Sequence, residues 1–253
     1  MKPITAIDET RRWKRKLMLA ARPEKIADLM RFFKTGPGEY GEGDIFAGIY
    51  VPDNRRISRK YHAIPLEQIG LMLDDPIHEF RLAALLALVE RYRKARGNTQ
   101  LREECVDFYL ANGAKANNWD LVDLSTEYIL GEELAEGRRL DAIDTLLSSP
   151  VLWEQRIAVV AMLTPIRHGM LDMPYAVAQR MLTHPHQLMQ KAVGWILREA
   201  GKKDAGRLLA FIRSNIAAFS SITLSYATEK FPASDRATLR HLRKTSARPK
   251  NTK

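Results

Sequence analysis

The stretch Pro150–Ala158, PVLWEQRIA, decides the fold. A proline opens it, a basic residue follows six positions later, and an apolar run (IAVVAML) comes next. Proline is at home in the first turn of a helix, where its missing N–H costs nothing. Apolar residues recurring at three and four then mark one helical face. The same plan appears in Pro76–Ala83 (PIHEFRLA) and Pro185–Ala192 (PHQLMQKA). Arg156 and Lys191 lie 35 residues apart, and Arg81 precedes Arg156 by 75, close to two such steps. A period of roughly 35–40 residues with two helices per unit predicts a solenoid of HEAT-like repeats. The skipped element falls near residues 117–123.

Outward from these stretches the helical period persists, in FRLAALLALVERY and MQKAVGWILREA. Strand-like alternation is scarce, so the expected class is all-α, a superhelical solenoid. One segment breaks the pattern. Residues 36–56, GPGEYGEGDIFAGIYVPDNRR, hold five glycines and two prolines and are expected as a loop. Gly36, Gly38 and Gly41 satisfy GxGxxG, but a helical stretch precedes them where a strand is needed. Glu39, Glu42 and Asp44 would also repel a pyrophosphate, so a dinucleotide site is rejected.

The chain has 253 residues, a net charge of +10 and a single cysteine, Cys105. An internal disulfide is excluded, and Cys105 within CVDFYL reads as a small core residue in a reducing, cytoplasmic setting. No run of eighteen apolar residues and no leader pattern is present, which argues against a membrane or secreted protein. The positive charge is unevenly spread. Residues 236–253 carry seven Lys/Arg and no acid, whereas 26–235 carry 25 basic against 27 acidic residues. The expected organisation is one HEAT-like domain over 1–235 and a flexible basic tail over 236–253, able to add non-specific phosphate affinity.

The skipped element reads NNWDLVDLS, residues 117–125. On a helix Trp119 and Asp123 stack on one face, at i and i+4. An indole favours burial and a carboxylate favours water or a partner, so the pair reads as a buried helix start or as a shared site. The repeat alignment places Trp119, Asp123, Arg156, Lys191 and Trp195 on equivalent second helices, expected to line one concave surface. Plainer readings stand beside this one. Either tryptophan can be core, Arg156 can be an inter-repeat tie, and Gly194 can serve close helix packing. Asp120 is off the Trp119 face and reads as a structural or capping acid. Trp13 and Trp153 are assigned to packing. His184 and His186 lack a third metal ligand at suitable spacing and read as a helix start. Lys191, Arg198, Arg55 and Arg56 are candidate phosphate contacts, against the plainer reading of solvated faces.

WDLVD, then LWEQR about 30 residues on, then QKAVGW about 35 beyond, preceded by the segment Tyr40–Arg56, resembles the AlkD-type alkylpurine DNA glycosylases over roughly residues 10–230. The resemblance implies a cofactor-free monomer that grips duplex DNA. It implies hydrolysis of the N-glycosidic bond of cationic purines such as 3-methyladenine and 7-methylguanine, with the lesion kept largely stacked. By motif, Trp119 and Trp195 match the two active-site tryptophans, Asp123 the catalytic carboxylate and Arg156 the arginine beside them. The glycine-rich loop departs from the family's shorter versions, which leaves aromatic contacts from Tyr40 or Phe46 open. Two other functions are weighed: a noncatalytic binder of branched or distorted DNA, and a HEAT scaffold for protein partners.

Overall fold

A computed structural model describes residues 6–246, with side chains from residue 9 onward. All its regular elements are helical. Among the described residues the one β feature is an isolated bridge between Ile45 and Ile77. The chain divides into two compact units, one up to Ile129 and one from Leu130 onward, where a single domain over 1–235 was expected.

The first unit contains α1 (Ala6–Met18), α2 (Ile26–Phe32), α3 (Val51–Ser58), α4 (Leu66–Leu73), α5 (His78–Lys94), α6 (Thr99–Ala111) and α7 (Trp119–Asp123). Its centre is α5, whose FRLAALLALV run is buried on every side. Alanines at 83, 84 and 87 let α3 and α4 approach closely. Each fully buried leucine there contributes roughly 1.5–3 kcal/mol. Trp13 is completely buried, stacks on Tyr61 at 4.8 Å and donates to the Ser58 hydroxyl at 3.3 Å, so its assignment to packing holds. Cys105 is free and buried.

The second unit contains α8 (Leu130–Ala135), α9 (Asp141–Ser148), α10 (Leu152–Val160), α11 (Leu163–Arg167), α12 (Asp172–Met181), α13 (Gln187–Lys203), α14 (Ala205–Asn215), α15 (Ser221–Ala227) and α16 (Ala233–Ser246). Here α9 packs on α10, α12 on α13, and α13 on α15.

The three prolines each precede a helix in both units, but they stand just ahead of it and not in its first turn as expected. Helices α5, α10 and α13 each begin two residues after Pro76, Pro150 and Pro185. The intervening residues Ile77, Val151 and His186 are all extended, with ψ between 116° and 129°. A proline disfavours helical geometry for the residue before it, so each helix starts afresh after the kink.

Three expectations need correction. Residues 51–56 are the start of helix α3, which uses Pro52 in its first turn, so the loop ends at Tyr50. The element near 117–123 is a helix of only five residues. The basic segment expected as a flexible tail is helical from Ala233 to Ser246; Leu239 is buried and Arg243 donates to the Phe219 carbonyl. That apolar anchor outweighs the charge run. Residues 247–253 of the expected tail lie outside the described residues.

Candidate active site

A five-residue helix is too short to hold itself together, because nucleation is costly and few internal bonds repay it. Side chains hold α7 instead. Asn118, extended at φ −150°, accepts from the Trp119 N–H at 2.8 Å through Oδ1 and donates to Asp44 through Nδ2 at 3.0 Å. At the far end the Ser125 hydroxyl donates to the Leu121 carbonyl at 2.6 Å. Tyr109, fully buried, bonds both Ser125 (2.9 Å) and Thr126 (2.6 Å). Burial pushes the Tyr109 phenol up to about 12, and the Asp123 carboxylate adds to that rise.

The deeper support is a buried ionic chain. The His78 ring faces Asp44 at Nδ1 (3.1 Å) and Asp120 at Nε2 (2.9 Å), while the Arg81 guanidinium also pairs with Asp44. Two carboxylates on two ring nitrogens require both nitrogens to donate, so His78 is an imidazolium. Burial alone would lower its pKa; Asp120 and Asp44 outweigh that and lift it to about 9. Asp44 moves the other way. Burial raises its pKa, but bonds from His78 and Asn118 and the Arg81 charge hold it below the ordinary carboxylate value. Asp120 also accepts from the Leu121 N–H at 2.9 Å, so it is the structural acid that its position off the Trp119 face implied.

Glu79, next to His78, is buried and accepts three backbone N–H groups, from Ala47 (2.9 Å), Gly48 (2.8 Å) and Ile49 (3.0 Å). This closes the glycine-rich loop over the first turn of α5. Gly48 has φ +81°, and a Cβ there would lie 2.1 Å from the Arg22 carbonyl oxygen, so only glycine fits.

On this frame rests a run of stacked rings: Trp119 on Phe33 at 5.3 Å, Phe33 on Phe46 at 5.1 Å, and Phe46 on His78 at 4.6 Å. Phe32 meets Trp119 edge-on at 5.7 Å and is 61% exposed. These rings and Asp123 line a cavity of about 310 Å³. Trp119 and Asp123 are both half-buried, so the pair reads as a shared site rather than as core. His78, Glu79, Asp44 and Phe32 escaped the sequence reading. The available signal was the pair of charges His78-Glu79 at the head of an otherwise apolar helix.

In the second unit the candidates lie on α10 and α13. Lys191, Trp195 and Arg198 follow one face of α13 and are each half-buried. Gly194 serves close packing, since a Cβ there would come within 2.5 Å of the Tyr226 Cβ. Arg198 pairs with Glu229 and, at 3.1 Å, with Glu199. Arg156 is only 5% exposed and donates to the Leu188 carbonyl at 2.7 Å, tying α10 to α13 in the manner of an inter-repeat contact. Trp153 is half-buried rather than core. In the first unit Arg55 is half-buried and Arg56 is exposed, paired with Asp53 at 3.1 Å. His186 caps α13 by accepting from the Leu188 N–H, and no cluster of metal-binding side chains occurs among the described residues.

The family model for DNA alkylation repair enzymes matches residues 13–231, from Trp13 to Phe231. The chain belongs to that family. Alkylation repair is therefore its role, and DNA the substrate its family implies. The match spans both units and stops just short of α16. A solved structure described as a predicted DNA alkylation repair enzyme from Enterococcus faecalis is similar in fold, with a TM-score of 0.63. The likeness covers 84% of this chain and 97% of that one at 17% identity, and so carries the all-α architecture alone. Among curated proteins no sequence matches. No helix among the described residues is long and apolar enough to cross a membrane.

Proposed function

We propose that the chain is a DNA glycosylase that releases cationic alkylated purines, of the 3-methyladenine and 7-methylguanine type, from duplex DNA. The observation that carries this reading is the half-buried Trp119–Asp123 pair at an aromatic cavity, held by a network that leaves α7 little freedom.

An ordinary glycosidase needs an acid to protonate its leaving group as well as a carboxylate. A purine alkylated at N3 or N7 already carries positive charge. When its N-glycosidic bond breaks, the bonding pair neutralises the ring and no general acid is required. What is left at C1′ is an oxocarbenium-like sugar. Asp123 stabilises that charge and orients water, whose oxygen bonds to C1′ while its proton passes to the carboxylate. The Trp119 face adds cation–π attraction of about 0.5–2 kcal/mol. No cofactor is needed for these steps, and a monomer suffices. In the second unit Trp195 and Lys191 are proposed to touch the same duplex. Arg156, buried and bonded to Leu188, acts chiefly by fixing α13.

The test is base release from duplex carrying 7-methylguanine. The unaltered chain should release base, and Asp123→Asn should slow release by about 10²–10³ while duplex binding stays within a factor of about two. DNA binding without release would move the chain to the noncatalytic binders. Full activity in Asp123→Asn would remove the carboxylate from the mechanism.

A further inference from the structure

Several cations of the second unit are neutralised by carboxylates. Arg180 meets Asp144, Arg207 meets Asp172 at 2.7 Å, and Lys202 meets Glu199 at 2.6 Å. Helix α16 is different. Its Arg236, Arg240, Arg243 and Lys244 have no carboxylate partner among the described residues, and the sequence holds no acid after Asp235. At 3.6 residues per turn these four fall within about 100° of arc, with Asp235 on another side of the helix. Arg236–Arg240 and Arg240–Lys244 are like charges at i and i+4, a spacing that weakens a helix. Arg243 and Lys244, in the last turn, suit the helix dipole, but Arg236 in the first turn works against it. A bound anion removes this repulsion. The helix is also fixed in place, because Leu239 is 2% exposed and α16 packs on α15 and the turn Ile216–Ala218. With Leu239 committed there, little apolar face is left to enter a lipid surface. The family match ends at Phe231, so the stripe lies outside what family membership explains.

We propose that α16 is an additional duplex contact, its Arg236, Arg240, Arg243 and Lys244 gripping the phosphate backbone without regard to sequence or damage. Four residues of helix advance about 6 Å, on the scale of the step from one phosphate to the next along a strand. The exposed Arg240 and Lys244 therefore reach successive phosphates, with the half-buried Arg236 and Arg243 behind them. Contacts of this kind hold the chain on DNA and leave selection of the lesion to other residues. The proposal needs only that the chain meets a duplex, which its family implies, and is independent of the glycosylase reading.

The experiment follows the full chain binding a labelled, undamaged duplex of about 20 base pairs by fluorescence anisotropy, from roughly 50 to 200 mM salt. Arg240→Gln/Lys244→Gln should lower the slope of log affinity against log salt by about 1.8, two phosphate contacts' worth. At the lowest salt, binding should weaken by about tenfold. A duplex carrying 7-methylguanine should show the same change. The control Arg180→Gln/Arg207→Gln removes the same two charges from cations already paired, and should leave the slope within about 0.5 of the parent. Both α16 positions are exposed, so the melting temperature should hold; if the double variant fails to fold, each single variant should lower the slope by about 0.9. A fall of less than half the expected value overturns the proposal, and so does an equal fall in the control. Phosphatidylserine vesicles form the last arm. If the α16 variant loses affinity for them and keeps it for duplex, the stripe faces lipid and the proposal fails. Because only binding is read, absence of base release leaves it standing.

Discussion

The two units hold their candidate residues by opposite means. In the first, Trp119 and Asp123 sit on five residues of helix, fixed from outside by buried charge: Arg81, Asp44, His78, Asp120 and, under the loop, Glu79. In the second, Lys191, Trp195 and Arg198 sit on seventeen residues of helix, fixed by apolar packing of α13 against α12 and α15. A short element has too little surface to be packed into place, so directional bonds must do it; a long one needs only a face that fits. The first unit should therefore fail when charge or protonation changes, and the second when volume changes.

The largest effect is expected at Glu79. Glu79→Ala leaves three buried N–H groups without their acceptor, and each unmet donor costs about 1–3 kcal/mol. A loss of roughly 3–5 kcal/mol is expected in denaturant unfolding, with lost hydrogen-exchange protection at Ala47, Gly48 and Ile49. Protection retained at those three amides would mean that the loop is held by something else.

Protonation comes next. The folded pKa of His78, about 9, lies above its ordinary 6.5. Its contribution is therefore fully present below pH 6.5 and lost as pH rises through 9. The loss amounts to about 3 kcal/mol between those limits. His78→Gln should be less stable than the parent at pH 6 and should flatten the slope between pH 6.5 and 9. A parallel slope in the variant would show that another group carries it.

This contrast explains what could be read from the sequence. Helix starts at Pro76, Pro150 and Pro185 were legible because proline and a three-four apolar period are local signals. The Trp119–Asp123 pair was legible for the same reason, being one helical turn long. The network beneath it was not. His78 binds Asp44 across 34 residues and Asp120 across 42, and no periodicity links positions that far apart. Reading residues 36–56 only as a loop hid Asp44, the acid that holds His78 and Asn118. Basic residues 236–246 failed differently. Charge counting outweighed the apolar Leu239, whose burial secures α16.

In the second unit the volume test is Gly194→Ala. The added methyl would meet the Tyr226 Cβ at 2.5 Å and the Thr223 carbonyl oxygen at 2.8 Å, neither of which is the end of a flexible chain. Overpacking of this kind costs about 1–3 kcal/mol. The loss should be the same at pH 6 and pH 9, unlike that at His78. A loss under 0.5 kcal/mol, roughly the scatter of ordinary surface changes, would mean that α13 and α15 shift apart freely.

The smallest effect separates the two cations on α13. Lys191 is half-buried with no carboxylate partner among the described residues, whereas Arg198 already faces Glu229 and Glu199. A cation neutralised by its own protein releases few counterions when it meets a phosphate. Lys191→Ala should therefore lower the slope of log affinity against log salt by about 0.9, one phosphate contact's worth. Arg198→Ala should leave that slope nearly unchanged, since removing it also frees two carboxylates rather than a phosphate. If Arg198→Ala gave the larger change, the Glu229 pair would have to open on binding, and Arg198, not Lys191, would be the cation that meets the phosphate.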